Sequence, residues 1–405
     1  MPEFKYTLKE RNGTVSTGTL NAPTEEAAVK ILKERNCLIL SVSKNKKSPF
    51  AFSFNPPSSS IRIKTDDLAV FSRQLATMVS AGLPLIQGLE ILVEQSEKKT
   101  FKFLIAKVKE AVEDGSSLSE ALSKYPRAFS ALFVNMISAG EASGMLDDIL
   151  QRMASYLEET SKLQKKVRSA LVYPVVITLT AASITVFMLV QVVPSFAEIY
   201  SGFGAELPGP TRFLLLLSDL VTKWLFAFVL GIAVIAAGIF MFSKTERGGL
   251  FIDRMLLRLP IAGKLIRKVS ISRFSRTLST LAKSGVSILT SLDIVAKTSG
   301  NKVIEKVVFK VLENVKGGES IAQPLANSGI FPPLVVKMVA VGEQTGALEE
   351  MLLKVSDFYD AEVTATVDGL TSLIEPVIIV VLGVIIGGIV IALYLPVFNI
   401  AELIS

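Results

Sequence analysis

Three stretches of the chain lose their charge altogether. From Ser169 to Ala197, from Trp224 to Ser243 and from Pro376 to Ala401 there is no Asp, Glu, Lys or Arg, over roughly 29, 20 and 26 residues. At about 1.5 Å rise per residue, each stretch can cross the roughly 30 Å hydrocarbon layer of a bilayer. Apolar runs beyond about 18 residues are rare in soluble folds, so the pattern predicts three transmembrane helices. Outside them the apolar positions follow a 3.6-residue rhythm. Leu68, Phe71, Leu75, Met78 and Val79 share one helix face, and Ile271, Phe274, Leu278, Leu281 and Ala282 share another.

The second face repeats the first. Asp66 to Leu92 reads DDLAVFSRQLATMVSAGLPLIQGLEIL, and Val269 to Val295 reads VSISRFSRTLSTLAKSGVSILTSLDIV. Phe71, Ser72, Arg73, Leu75, Gly82 and Leu89 recur as Phe274, Ser275, Arg276, Leu278, Gly285 and Leu292. After a one-residue deletion, Ala139-Gly-Glu-Ala-Ser-Gly aligns with Val341-Gly-Glu-Gln-Thr-Gly. In the membrane, Tyr173-Pro174 meets Glu375-Pro376, and Val193-Pro194 meets Leu395-Pro396. The repeating unit is therefore a soluble bundle plus a span.

Local signals make each bundle a set of short antiparallel helices with no sheet. Gly82 and Gly285 suit helix C-terminal positions of positive φ. Ser117 to Glu120 and Ser320 to Gln323 are S-x-x-[EQ] capping boxes, and Pro126 and the Phe331-Pro332-Pro333 run mark a further break. Before the repeats, Phe4 to Thr19 reads as a hairpin around Asn12-Gly13, Pro23 to Arg35 as an amphipathic helix and Leu38 to Val42 as a strand. The expected organisation is an α+β module at 1–43, a linker at 44–63, a first bundle at 64–168, a span at 169–197 and an outer loop at 198–220. A second span at 221–243, a second bundle at 244–370, a third span at 371–398 and a tail at 399–405 follow. The fold class is mainly α: a polytopic membrane protein with three transmembrane helices, two homologous cytoplasmic helical bundles and a small N-terminal α+β module.

Charge sets the orientation. The formal charge is +6, and the basic residues crowd the span ends: Arg152, Lys162, Lys165, Lys166 and Arg168 before the first, and Lys244, Arg247, Arg254, Arg258, Lys264, Arg267 and Lys268 after the second. Positive-inside bias puts the N-terminus in the cytoplasm and the first outer loop outside, and explains these charges better than nucleic-acid binding does. Before the third span the local signal fails, because Lys354 stands amid Asp357, Asp360, Glu362 and Asp368. The repeat supplies the orientation there: equivalent bundles on one side, each followed by its own span, need one extra crossing between them. The C-terminus is then periplasmic. The opening MPEFKYTLKE is charged and has no apolar core, so no cleavable signal is expected.

The composition removes much chemistry. There is no histidine, and the single Cys37 has no intramolecular partner, which excludes Ser-His and Cys-His catalysis and the commonest zinc ligand. The sharpest polar features are Gly140-Glu141-x-x-Gly144 and Gly342-Glu343-x-x-Gly346. Structurally, the glycines are close-packing or turn positions and each glutamate caps the next helix. Functionally, each glutamate meets a partner or, with Asp147 and Asp148, ligates a hard divalent cation. The spans offer few polar groups beyond Thr178, Thr180, Ser183, Thr185 and Gln191, which argues against the alternative of a small transporter or channel. Gly383 and Gly387 fit a GxxxG helix-packing face or simply face lipid. Glu375 is either a wetted interfacial residue or a receptor for a positive group on a membrane-embedded subunit. A membrane enzyme built on the Gly-Glu motifs is the third class, but no neighbour would tune such a base.

The order of parts, together with FSRQLATMVSAGLPL, SAGEASG, AVGEQTG, ALVYPVV, the VVP closing the first span, FGAELPGPTR in the outer loop and the terminal YLPVFNI, carries a resemblance. Over essentially the whole chain it resembles the inner-membrane platform proteins of type II secretion systems and type IV pili, the GspF/PilC family. The resemblance implies a non-enzymatic platform that passes motion from a cytoplasmic assembly ATPase to major and minor pilins or pseudopilins. It also implies contact with other inner-membrane subunits, self-association as a dimer and no cofactor. The chain has no G-x-x-x-x-G-K-[ST] loop, so it is not expected to hydrolyse nucleotide itself. The outer loop is more similar to the pilus branch, and Glu375 departs from the aromatic of the first copy.

Overall fold

The computed structural model describes residues 3–9, 15–22, 31, 38–44, 61–201 and 208–404, and contacts divide the chain into two units, Met1–Pro57 and Ser58–Ser405. In the first unit β1 (Glu3–Lys9), β2 (Val15–Asn21) and β3 (Leu38–Lys44) pair antiparallel in the order β2-β1-β3. Phe4 stands opposite Leu20 on one side and Lys44 on the other, and the β3 register slips between Thr7 and Leu8. The Asn12-Gly13 turn, the Pro23–Arg35 helix apart from Ile31, and residues 45–60 of the linker lie outside the described residues.

Each repeat folds from the same six helices. The first is α1 (Thr65–Ser80), α2 (Leu85–Gln95), α3 (Lys99–Glu113), α4 (Leu118–Ser123), α5 (Ala131–Ser143) and α6 (Leu146–Phe187). A π turn (Met188–Val192) and α7 (Val193–Ser201) prolong α6, and α8 (Gly209–Ser243) and α9 (Glu246–Arg258) join the repeats. The second repeat is α10 (Ala262–Lys283), α11 (Ile288–Thr298), α12 (Lys302–Lys316), α13 (Ala322–Asn327), α14 (Pro333–Thr345) and α15 (Leu348–Ile404).

The local signals act where the sequence places them. Gly82, at φ 82°, ends α1 with its N–H on Val79 O and that of Leu83 on Met78 O, a Schellman closure. Gly285 does the same for α10, with Val286 N–H on Leu281 O. The apolar faces then meet: Phe71 packs against Phe129 (centroids 6.2 Å apart), and the equivalent Phe274 against Phe331 (4.9 Å). Each such burial contributes about 1.5–3 kcal/mol. A single apolar core runs through both bundles. They are joined directly by Arg152 Nη1 donating to Lys283 O (2.8 Å) and by the Tyr156 and Thr277 hydroxyls (3.1 Å).

The two expected bundle-to-span boundaries fall inside continuous helices. The sequence reading ends the bundles at 168 and 370, but α6 and α15 run from bundle into apolar segment without interruption. No glycine at either junction takes positive φ, Gly369 included, so the hydrogen-bond ladder continues. Among the described residues two helical paths, Leu146–Ile199 and Leu348–Leu395, are long and apolar enough to cross a membrane. Only 6% and 17% of their most apolar windows are buried, unlike core helices of a soluble protein. The expected middle crossing falls in α8, where the described apolar stretch, Leu230–Ser243, is shorter.

A second core forms where these helices end. Leu189, Val193, Leu214, Ile389, Ala392 and Leu393 are buried together. Pro194 and Pro396 have no N–H, so each leaves a carbonyl one turn earlier without its donor. In the first copy the helix widens: Val193 N–H bonds Met188 O in π register, which strands Leu189 O. The buried Ser218 hydroxyl of α8 donates to Leu189 O (2.5 Å). In the second, the buried Thr211 hydroxyl donates to Ala392 O (2.5 Å), four residues before Pro396. Thr211 and Ser218 are two helical turns apart on one face of α8, which thereby fastens both repeats.

Candidate functional site

The Gly-Glu motifs occupy the ends of α5 and α14, and each of their three residues has a distinct task. Gly144 (φ 72°) and Gly346 (φ 74°) are the left-handed residues that end these helices. Gly140 and Gly342 let the next helix approach. A Cβ on Gly140 would lie 3.0 Å from Ile149 Cβ, and one on Gly342 only 2.8 Å from the Leu348 backbone. The glutamates do cap a helix, but not the next one. Glu141 reaches back to α4, accepting from Leu118 N–H (2.6 Å), Ser119 N–H (3.1 Å) and the Ser119 hydroxyl (2.5 Å). Glu343 accepts from Ile321 N–H (2.6 Å) and Ala322 N–H (3.1 Å).

The capping box completes the arrangement. Ser117 Oγ accepts from Glu120 N–H (3.1 Å), while the Glu120 carboxylate accepts from Ser117 N–H (3.3 Å). All four leading amides of the short α4 are then satisfied. In the second copy Ser320 Oγ accepts from Gln323 N–H (3.3 Å), although the regular helix begins only at Ala322. The carboxylates also face the positive end of a helix dipole, which suits an anion. Asp148 is engaged by Arg152 at 2.5 Å, and among the described residues no three acidic or thiol side chains gather closely enough to hold a metal ion.

A second set of paired contacts clamps the first helix of each repeat to its long helix. Arg73 on α1 forks onto Glu158 of α6, Nε to Oε1 at 2.7 Å and Nη2 to Oε2 at 2.6 Å. That hydrogen-bonded pair holds Glu158 below the usual carboxylate range and raises Arg73 further. In the second repeat Arg276 pairs with Asp360, which also takes the Ser272 hydroxyl, and lies 3.4 Å from Asp357. Asp66 has no acidic counterpart at Val269. It is lowered by Lys165 (2.5 Å) and Ser161 (3.1 Å) on α6.

The long helices then meet along a seam. Lys166 lies 2.8 Å from Asp368, and the Tyr173 hydroxyl donates to Glu375 Oε1 at 3.4 Å. Both contacts join equivalent positions of the repeats, as a local two-fold axis along two parallel helices requires. Glu375, unpaired in the sequence comparison, is thus the neighbour of its own counterpart. Pro174 and Pro376 follow immediately, each removing one amide from its helix. Beyond them a groove of about 430 Å³ opens between Thr178, Ala181 and Thr185 on α6 and Val377, Val381 and Ile385 on α15. Gly383 and Gly387 take no part in this contact, since a Cβ at either would meet open space.

Sequence reading missed Glu158, Thr211, Ser218 and the Lys166–Asp368 pair. The recurrence of Arg73 as Arg276 was a signal for the first, because each arginine needs an acid at matching positions of α6 and α15. The prolines announce stranded carbonyls, but not which hydroxyls reach them.

The two repeats each match a family model of type II secretion system (T2SS) protein F, over residues 71–194 and 274–396. The model of the type II secretion system protein F N-terminal domain matches residues 1–43. The chain is 39% identical to the type IV pilus assembly protein PilC of Myxococcus xanthus, over 98% of this chain and 95% of that protein. It is 42% identical to the PilC of Thermus thermophilus over the whole of both. The type II secretion system protein F of Vibrio cholerae is 32% identical, again over the whole of both. A duplicated bundle that continues into apolar helices, matched at this identity from end to end, means that the chain belongs to the family of type II secretion system protein F and the pilus assembly protein PilC.

Proposed function

We propose that this chain is the inner-membrane platform of a type IV pilus or type II secretion machine, coupling a cytoplasmic assembly ATPase to the extraction and assembly of pilins or pseudopilins. The observation that carries the reading is the continuity of α6 and α15 from the bundle cores into the apolar segments. Force applied to a bundle is transmitted along an unbroken helix, and the clamps Arg73–Glu158 and Arg276–Asp360 tie that helix to the bundle. The chain acts mechanically, not as an enzyme.

In this reading α8 is the second of three crossings, the N-terminus and both bundles are cytoplasmic, and the 198–220 loop and the 399–405 tail are periplasmic. The 1–43 module is an α+β unit carried on the 44–63 linker. The open Gly383 and Gly387 face supports a helix–helix contact, with a second copy in a dimer or with a membrane-embedded subunit. In the same reading Glu375, which accepts from Tyr173, meets a positive group on such a subunit. Identity to the pilus proteins of 39% and 42%, against 32% to the secretion protein, favours the pilus branch.

The full-length protein in lipid nanodiscs should bind the assembly ATPase of its machine and change its turnover, and its deletion should abolish surface pili or secretion. An unaltered turnover together with intact pili and secretion would overturn the proposal. Solute flux in liposomes would instead favour a transporter.

A further inference from the structure

The helix α9 has no counterpart in the described part of the first repeat and presents a mixed basic and apolar face to solvent. Gly248, Gly249, Ile252, Asp253 and Leu257 turn inward, and Asp253 accepts from Lys302 N–H (2.7 Å) at the start of α12. The opposite face carries Arg247, Phe251, Arg254, Met255 and Arg258, with Phe251 62% and Met255 61% exposed. Among the described residues the three arginines form no ion pair.

Its position is fixed by the turn that precedes it. Only Lys244 and Thr245 separate α9 from the end of α8 at Ser243. Thr245 Oγ1 accepts from Gly248 N–H (3.1 Å) and donates to Phe242 O (2.8 Å). A Cβ on Gly248 would lie 2.0 Å from Phe242 O, so the turn closes tightly only with glycine. The outward face cannot swing away from the point where α8 ends.

We infer that α9 is an interfacial anchor: Phe251 and Met255 insert among the lipids of the cytoplasmic leaflet while Arg247, Arg254 and Arg258 bind anionic phospholipid headgroups. The inference rests on α8 crossing the membrane. An acidic protein partner would match the arginines but would leave two large apolar side chains in its polar contact. A second copy would bring like charges together. A leaflet offers hydrocarbon and phosphate at the depth where these groups lie. Held by the turn at its start and by Asp253 in mid-helix against Lys302 of the second bundle, α9 ties that bundle to the bilayer surface.

The test uses the full-length protein carrying Cys37→Ser, in nanodiscs of phosphatidylcholine alone or mixed with phosphatidylglycerol. An environment-sensitive thiol fluorophore is placed by Phe251→Cys, and in separate variants by Ile232→Cys in α8 and Leu334→Cys on the bundle surface. The label at 251 should be quenched by headgroup-level nitroxide lipids, be several-fold less open to aqueous iodide than the label at 334, and be further shielded by phosphatidylglycerol. Arg247→Gln, Arg254→Gln and Arg258→Gln together should abolish the phosphatidylglycerol effect. A label at 251 as open to iodide as the one at 334, while 232 is quenched by deep nitroxides, overturns the anchor alone. Equal shielding in both lipids overturns the anionic contact. A water-exposed 232 overturns the crossing and the anchor with it.

Discussion

At Gly140 and Gly342 one missing methyl group sets how closely two helices approach, and the surroundings rank the cost of adding it. Gly342→Ala meets backbone at 2.8 Å, Gly140→Ala meets the Ile149 side chain at 3.0 Å, and Gly383→Ala meets nothing. Thermal unfolding of the full protein should therefore fall most for Gly342→Ala, less for Gly140→Ala, and stay unchanged for Gly383→Ala, with overpacking costs of about 1–3 kcal/mol at the first two. Glu141→Ala and Glu343→Ala each strand two amides and should cost about 1–3 kcal/mol, whether or not a chelator is present. A chelator-dependent loss would restore the metal-ligand reading. Glu158 gives a pH signature. Its folded pKa lies below the unfolded one, so its contribution is complete above about pH 5 and disappears as pH falls through the folded value. Glu158→Gln should flatten the acid limb of the stability profile. An acid limb identical to that of the parent protein would sink the assignment.

Between elements, the α8 hydroxyls are the decisive contacts. Ser218→Ala leaves Leu189 O without a donor in a buried setting, which should cost about 1–3 kcal/mol. Pro194→Ala returns an amide to that turn and should reduce the penalty, so the two substitutions should couple in a double-mutant cycle. Strict additivity would mean that Ser218 does not answer the proline. Thr211→Val should act likewise through Ala392. The seam between α6 and α15 has a different character, because its polar pairs are exposed and weak in energy while their alignment is specific.

For the whole molecule, that alignment makes the two repeats a pseudo-symmetric pair whose long helices run side by side. In a Cys37→Ser background, Tyr173→Cys and Glu375→Cys should be joined within one chain by a short, reducible bis-methanethiosulfonate reagent, and the product should migrate as a monomer. A dimer as the sole product would reassign the seam to contacts between copies. Locking it should also block pilus or secretion function if α6 and α15 must separate during the cycle, with reduction restoring it. The fused bundle core argues that the two bundles move as one body, so that relative motion is confined to the apolar segments of α6 and α15.

Much of this was legible in the residues. The apolar runs, the duplication from Phe71 and Phe274 onward, the glycine helix ends and the Ser117 cap are short-range signals, set by what the backbone needs within one or two turns. The family followed from the same motifs. The target of Glu141 was not legible: the carboxylate spans more than twenty positions of sequence to α4, and only the folding of α4 against α5 chooses between that helix and the next. The unbroken passage from bundle to apolar segment was also hidden, since composition marks where charge ends but not whether the helix does. Nor could the sequence pair Tyr173 with Glu375, or Ser218 with the carbonyl that Pro194 strands. Those contacts join segments distant in the chain, and long-range packing alone decides which group meets which.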